Sequence, residues 1–174
     1  MTDAEVIDEL RSRLATPFGR HLYAVIGTYP ALDRFAQSLC TASTLDGRPF
    51  PSPISVNREI LETIPDDEFR ALVKTEARRP LPTTRHVTQA FTRFLRSRLH
   101  GGGLIVLARM ELLFTYKVEL SPLREHATDL DRILLLLPGR RVGGRVMLFV
   151  EDESTGVSLP TNLIAENHLW QLET

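Results

Sequence analysis

Apolar positions along this chain follow two spacings, short continuous runs and recurrences every three to four residues. The run Leu22-Tyr23-Ala24-Val25-Ile26 is the kind carried by a strand covered on both faces. Gly27-Thr28-Tyr29-Pro30 follows as a turn, with glycine for backbone freedom and Pro30 suited to a first helical turn. Leu32, Phe35, Ala36 and Leu39 then recur at i, i+3, i+4 and i+7, which predicts an amphipathic helix. Upstream, Val6, Ile7, Leu10 and Leu14 predict a helix over 3–14, capped by Thr2 or Asp3 and ended by Pro17 and Gly19.

Downstream the two spacings alternate. Residues 41–53 are rich in Ser, Thr and Pro and read as a loop, and Ile54–Asn57 reads as a short strand. A helix begins at Arg58 and is interrupted by Pro65. Asp66 or Asp67 caps another, with Phe69, Leu72 and Val73 expected inward. RRPLP at 78–82 reads as a linker, and Thr83 or Thr84 as the cap of a helix whose stripe is Val87, Ala90, Phe91, Phe94 and Leu95. Gly101-Gly102-Gly103 stops it before a buried strand, Leu104–Ala108. Ser121-Pro122 predicts an N-cap with proline at the first helical position, Leu123, Ala127 and Leu130 facing inward. Ile133–Leu137 reads as a strand closed by Pro138-Gly139, Arg140–Gly144 as a turn and Val146–Val150 as a strand. An edge strand near His168–Leu172 ends the series.

Strands alternating with helices predict an α/β layered fold with a mostly parallel sheet in one domain, 1–174. Its parts are an N-terminal helix (1–19), a core (20–150) and a tail (151–174). Ligands of such sheets sit beyond the carboxyl ends of the strands, here Gly27-Thr28, Asn57, Ala108-Arg109 and Pro138-Gly139.

Composition narrows the classes. A net charge of −1 with 25% charged residues argues against a dedicated nucleic-acid binder. One cysteine, Cys40, excludes an internal disulfide framework and a cysteine-rich zinc site, and its place at a helix end suggests a buried structural thiol. The five histidines (21, 86, 100, 126 and 168) lack metal-ligand spacing, and no serine lies in a G-x-S-x-G elbow. Asp66-Asp67-Glu68 and Glu151-Asp152-Glu153 read as a helix start and a loop. No cofactor or metal is expected. With no signal-peptide pattern and no apolar run near membrane-spanning length, a cytoplasmic protein with no membrane partner is expected.

Strand, glycine turn and helix at 22–39 is the layout of a phosphate-binding loop. That loop needs G-x-x-x-x-G-K-[ST], whose glycines let backbone N–H groups wrap the phosphates and whose lysine neutralises them. From Gly27, the second glycine has become Leu32, the lysine Asp33 and the hydroxyl residue Arg34. An aspartate in the lysine position repels a triphosphate, and Pro30 removes a backbone donor. The strand Leu104–Leu107, where a magnesium-linked aspartate would follow, continues with Ala108 and Arg109. Glu111 is a nearby carboxylate, read as a surface or salt-bridged residue.

The segments VNREIL, LIVLARMELLF, SPLREH and ILLLLPG, in this order after the strand–turn–helix, resemble the core of P-loop ATPases. More narrowly they resemble the small P-loop protein of bacterial BREX-type phage-exclusion loci. Val56-Asn57, Glu111-Leu112-Leu113-Phe114 and Leu134–Gly139 carry that resemblance, over roughly residues 20–150. It implies a three-layer P-loop-like core with lost nucleotide motifs, in a component of a multi-protein antiviral system. The implied partners are other subunits, with an AAA-type ATPase as one candidate and DNA as another.

Two basic clusters are candidate partner surfaces. Arg85, Arg93 and Arg96, with Arg98 and His100, lie opposite the apolar stripe of their helix, and Arg78 and Arg79 precede it. They suit DNA phosphates or an acidic partner, with a solvated face as the other reading. Arg140, Arg141 and Arg145 bracket a Val-Gly-Gly turn that is either a partner contact or a soluble hairpin tip. The expected function is a non-enzymatic scaffold or adaptor. A nucleotide-responsive ATPase subunit and a DNA-binding subunit are the alternatives.

Overall fold

A computed structural model describes residues 1–99, 101–150 and 156–173. The first helix, α1 (Asp3–Leu14), is set by a capping box: Thr2 Oγ1 accepts from the Glu5 amide while the Glu5 carboxylate accepts from the Thr2 amide. Strand β1 (Leu22–Gly27) is buried throughout. Thr28 then caps α2 (Tyr29–Thr41), placing Pro30 in the first turn where its missing N–H costs nothing. After the loop come β2 (Ile54–Ser55), α3 (Val56–Glu62), α4 (Asp66–Thr75) and α5 (Pro80–Arg98). The chain continues through β3 (Gly103–Ala108), α6 (Glu111–Thr115), α7 (Ser121–His126) and β4 (Asp131–Val142). It ends with β5 (Arg145–Leu148), β6 (Val157–Ser158), a 3-10 turn (Glu166–His168) and β7 (Leu169–Gln171).

Five strands pair in parallel in the order β2-β3-β4-β1-β7, so the fold is α/β with a mostly parallel sheet. Strand β1 is an inner strand beside β7, with Ala24 opposite Leu135 on one side and Val25 opposite Trp170 on the other. Side chains alternate between the two faces. Leu22, Ala24, Ile26, Ile133, Leu135 and Leu137 pack with Val56, Ile60, Phe91, Leu113 and Leu123 of α3, α5, α6 and α7. Tyr23, Val25, Leu134, Leu136 and Trp170 pack with Val6, Leu10, Leu32, Phe35 and Leu39 of α1 and α2. Helices thus cover both faces, and all five parallel strands end on one side.

Several boundaries differ from the sequence reading. Ser55 accepts a hydrogen bond from the Arg58 amide and so caps α3, which takes Val56 and Asn57 out of the expected strand. RRPLP is not a linker: Arg79 is the N-cap of α5, and the prolines at 80 and 82 fit its first turn, where amides lack helical partners in any case. Thr83 is consequently buried inside the helix instead of capping it. Ser121 is a helical residue of α7, with Leu120 before it as cap. Leu130 lies beyond that short helix and is exposed.

Strand β4 does not close at Pro138-Gly139. It runs on through Arg140–Val142 in an antiparallel hairpin with β5, turned by Gly143 and Gly144 at φ 54° and 78°. Pro138 is tolerated because the chain passes there from one pairing partner to another. Strand β5 ends at Leu148, short of Val150. Cys40 is exposed, since the buried face of α2 is Ala31, Leu32, Phe35 and Leu39 and position 40 turns away from it. On α4 only Leu72 is buried, and Phe69 and Val73 face out. His100 and Glu151-Asp152-Glu153 lie outside the described residues.

Candidate functional site

The carboxyl ends of β1, β2 and β3 carry a connected polar group. Tyr29, in the first turn of α2, donates its hydroxyl to Glu111 Oε1 at 2.6 Å. Asn57, in the first turn of α3, donates Nδ2 to Glu111 Oε2 at 2.6 Å and accepts the Leu112 amide at 3.0 Å on Oδ1. The Asn57 amide donates to the Arg109 carbonyl at 2.9 Å. One asparagine therefore fastens the turn between β3 and α6 by three hydrogen bonds, and both Glu111 oxygens are engaged.

Arg109 begins that turn with φ at 52°, in the left-handed region that costs a non-glycine residue about 1 kcal/mol or more. This conformation turns its guanidinium back over the sheet end. Its Nη2 lies 2.8 and 3.0 Å from the two Asp33 oxygens, and its centre lies 5.0 Å from the middle of the Tyr29 ring. Asp33 is one turn into α2. The exposed side chains make this a pair of modest strength.

Two cavities flank the group and share Tyr29 and Pro138. The larger, about 430 Å³, lies between the ends of β1, β4 and β7 and is lined by Gly27, Thr28, Gly139, Arg140, Phe149 and Gln171 among others. The smaller, about 170 Å³, is lined by Leu32, Asp33, Pro53, Ser55, Ala108 and Arg109.

The expected phosphate-loop positions separate in the fold. Gly27 ends β1, and a Cβ there would stand 3.3 Å from that of Leu172. Leu32 turns into the core beside Phe35. Asp33 is held by Arg109, and Arg34 leans to α1, its Nε 3.5 Å from Asp3. Ala108 ends β3 and brings no carboxylate. Glu111, read from sequence as a surface or salt-bridged side chain, is held by Tyr29 and Asn57. Tyr29 and Asn57 were not singled out for this role, although each stands just after a strand end.

The basic clusters also divide. Arg85, Arg93 and Arg96 are exposed on the outer face of α5 and, among the described residues, have no acid within ion-pair distance. Arg98 pairs with Glu59. On the hairpin, Arg141 is anchored by Glu166 at 2.5 Å and by its amide to Gln171, Arg140 lines the larger cavity, and Arg145 is exposed.

At the opposite, amino-terminal ends of the strands, His21 is buried with Nδ1 2.7 Å from the Tyr23 hydroxyl and Nε2 without a partner. Burial, then the Arg132 charge, hold its pKa below the usual histidine value, and burial pushes Tyr23 up to about 12. No group of His, Cys, Asp and Glu among the described residues has metal-site geometry, and no helix among them is long and apolar enough to cross a membrane. No family profile, curated protein or solved structure matches the chain.

Proposed function

We propose that this protein is a non-catalytic scaffold or adaptor, built on a P-loop-like core that does not bind ATP. The observation that carries the reading is the Asp33–Arg109 pair. Where a nucleotide site needs a free cation beside the first turn of the helix after β1, an aspartate stands, already engaged by an arginine from the end of β3. Glu111, the carboxylate nearest a magnesium-binding position, has both oxygens engaged by Tyr29 and Asn57. A sheet whose five parallel strands all end on the side of the Gly27-Thr28 turn supports the P-loop-like part. Membership of a BREX-type defence assembly, with other subunits such as an AAA-type ATPase as partners, rests on the resemblance of Val56-Asn57, Glu111–Phe114 and Leu134–Gly139.

Under this reading α5 is a docking face, because Arg85, Arg93 and Arg96 are exposed and uncompensated. Calorimetric titration with ATP and magnesium tests the first half: no heat at millimolar nucleotide is expected, and micromolar binding overturns it. Co-purification from the native host tests the second. Arg93→Glu with Arg96→Glu is expected to release partners without lowering folded yield, and unchanged recovery removes α5 from the interface.

One observation favours a second reading, a nucleotide-responsive subunit. The cavity of about 430 Å³ beside Thr28 includes Arg140 in its wall, a cation at a helix N-terminus. The same titration, repeated on Arg140→Ala, decides between the two.

A further inference from the structure

At the amino-terminal ends of the strands, across the sheet from Glu111, a pocket of about 510 Å³ opens between α1, the loop 44–51 and the starts of β3 and β4. Its wall combines Leu14, Leu104 and Pro51 with three arginines, Arg11, Arg48 and Arg132. Strand pairing accounts for the mixture. Leu104 of β3 stands beside Arg132 of β4. The Ile133 amide donates to the His21 carbonyl, which sets His21 on the other side of Arg132. Alternation puts this row on the face of Leu134 and Tyr23, which α1 and α2 cover further along the strands.

Arg132 decides the chemistry of the pocket. Arg11 is balanced by Asp8 and tied to the Ser43 carbonyl, and Arg48 is balanced by Asp46, which Thr44 also holds. Arg132 is half-buried, and among the described residues it has no hydrogen bond and no carboxylate within ion-pair distance. Its Nε is buried without a partner, as is Nε2 of the neighbouring His21. Buried nitrogens are nearly always bonded, and a charge withdrawn from water calls for a counter-charge. The nearby acids do not supply one: Asp129 accepts the Gly19 amide, and Asp131 alternates onto the other face of β4. The end of α1 contributes about half a negative charge, less than the full charge of Arg132.

We propose that this pocket binds a small amphipathic anion, whose carboxylate or phosphate oxygens pair with Arg132 and whose apolar body lies against Leu14, Leu104 and Pro51. A guanidinium fork donates two parallel hydrogen bonds to either oxyanion. Arg48, exposed at the rim, adds attraction at longer range. The volume is in the range of small-molecule sites. The pocket lies at the end of the sheet remote from residues 27–34, so it stands whether or not the protein binds ATP.

Amide NMR of the isotopically labelled whole chain tests this, with phenyl phosphate and benzoate as probes. Inorganic phosphate carries the charge alone and benzyl alcohol the apolar body alone. At least one probe is expected to shift Arg11, residues 44–48, Leu104 and Arg132, and to bind about tenfold tighter than either control. The tighter probe names the head group. Arg132→Met is expected to weaken it by about tenfold or more. The same variant should melt no lower than the unaltered chain, because it removes an unpaired charge and keeps the volume. Arg48→Ala, at an 82% exposed side chain, leaves the fold intact and should weaken the probe several-fold. No shift at these residues with either probe at millimolar concentration overturns the proposal. So does an affinity matched by a control, or one unchanged in folded Arg132→Met or in Arg48→Ala. Shifts confined to Gly27, Thr28 and Arg140 overturn it in favour of the opposite end of the sheet.

Discussion

Arg109 holds Asp33 across the gap between the ends of β3 and β1, and it does so from a left-handed backbone conformation. Two separate contributions to stability meet at one residue, and substitution separates them. Exposed pairs of this kind are worth about 0.2–1 kcal/mol in double-mutant cycles. A cycle of Asp33→Ala and Arg109→Ala, read by urea denaturation, should give a coupling in that range that fades in high salt. Arg109→Gly should be more stable than Arg109→Ala by about 1 kcal/mol, because glycine carries no Cβ penalty at positive φ. Neither Asp33→Ala nor Arg109→Ala should create ATP affinity, since Leu32 remains buried where a phosphate cradle needs a glycine.

Asn57 holds Glu111 and the Leu112 amide together. Asn57→Ala should cost about 1–3 kcal/mol by leaving part-buried groups without partners. Asn57→Asp should cost more at neutral pH, because two carboxylates would then face each other where Nδ2 now lies 2.6 Å from Glu111. Acidification lets that pair share a proton. The gap between Asn57→Asp and the unaltered protein should therefore narrow as pH falls toward 5, in urea midpoints taken across that range.

His21 gives the fold a defined pH response. Its folded pKa lies below the unfolded value, with burial first and the Arg132 charge second among the causes; Asp129 opposes them and His168 adds to them. Between the two pKa values the unfolded chain binds more protons than the native one, so stability falls as pH drops below about 6.5. His168, lowered chiefly by burial, acts in the same direction. Thermal melts should lose midpoint temperature from pH 7.5 to 5.5, and His21→Gln should flatten that slope. An unchanged slope in His21→Gln would place the response elsewhere.

Gly139 of β4 lies opposite Leu148 of β5. A Cβ there would meet the Met147 carbonyl at 2.5 Å and a Leu148 methyl at 2.8 Å. Since one obstacle is backbone, Gly139→Ala should fall at or above the upper end of the usual 1–3 kcal/mol for overpacking. Gly47→Ala, in an exposed loop with nothing within 4 Å, is strained only by its φ of 81° and should cost less. Denaturation of both variants ranks them directly.

Periodicity made the layered α/β core legible, because burial of β1, β4 and the α5 stripe is what the apolar spacing records. It failed where a residue type had two meanings. Pro80 and Pro82 looked like a linker and are a helix start. Pro138-Gly139 looked like a strand end and marks a change of pairing partner. Phe69 and Val73 fit an inward face by spacing, but periodicity reports which residues share a face and not whether anything covers it. The site was legible in part: β1 and β3 end where Gly27-Thr28 and Ala108-Arg109 were expected, whereas Asn57 lies in α3 and β4 runs on past Pro138-Gly139. The Tyr29–Glu111–Asn57 network joins residues 28 to 82 positions apart, a proximity that only the strand order supplies.

One inner strand depends on much later parts of the chain. Strand β1 pairs with β4, residues 131–142, and with β7, residues 169–171, and with no strand nearer to it in sequence. During synthesis the apolar run Leu22–Gly27 therefore waits, with both edges open, until most of the polypeptide has left the ribosome. Such a strand is a template for wrong pairing with neighbouring nascent chains. Production of this protein should accordingly be limited by translation rate, temperature and chaperone supply before it is limited by the stability of the finished fold.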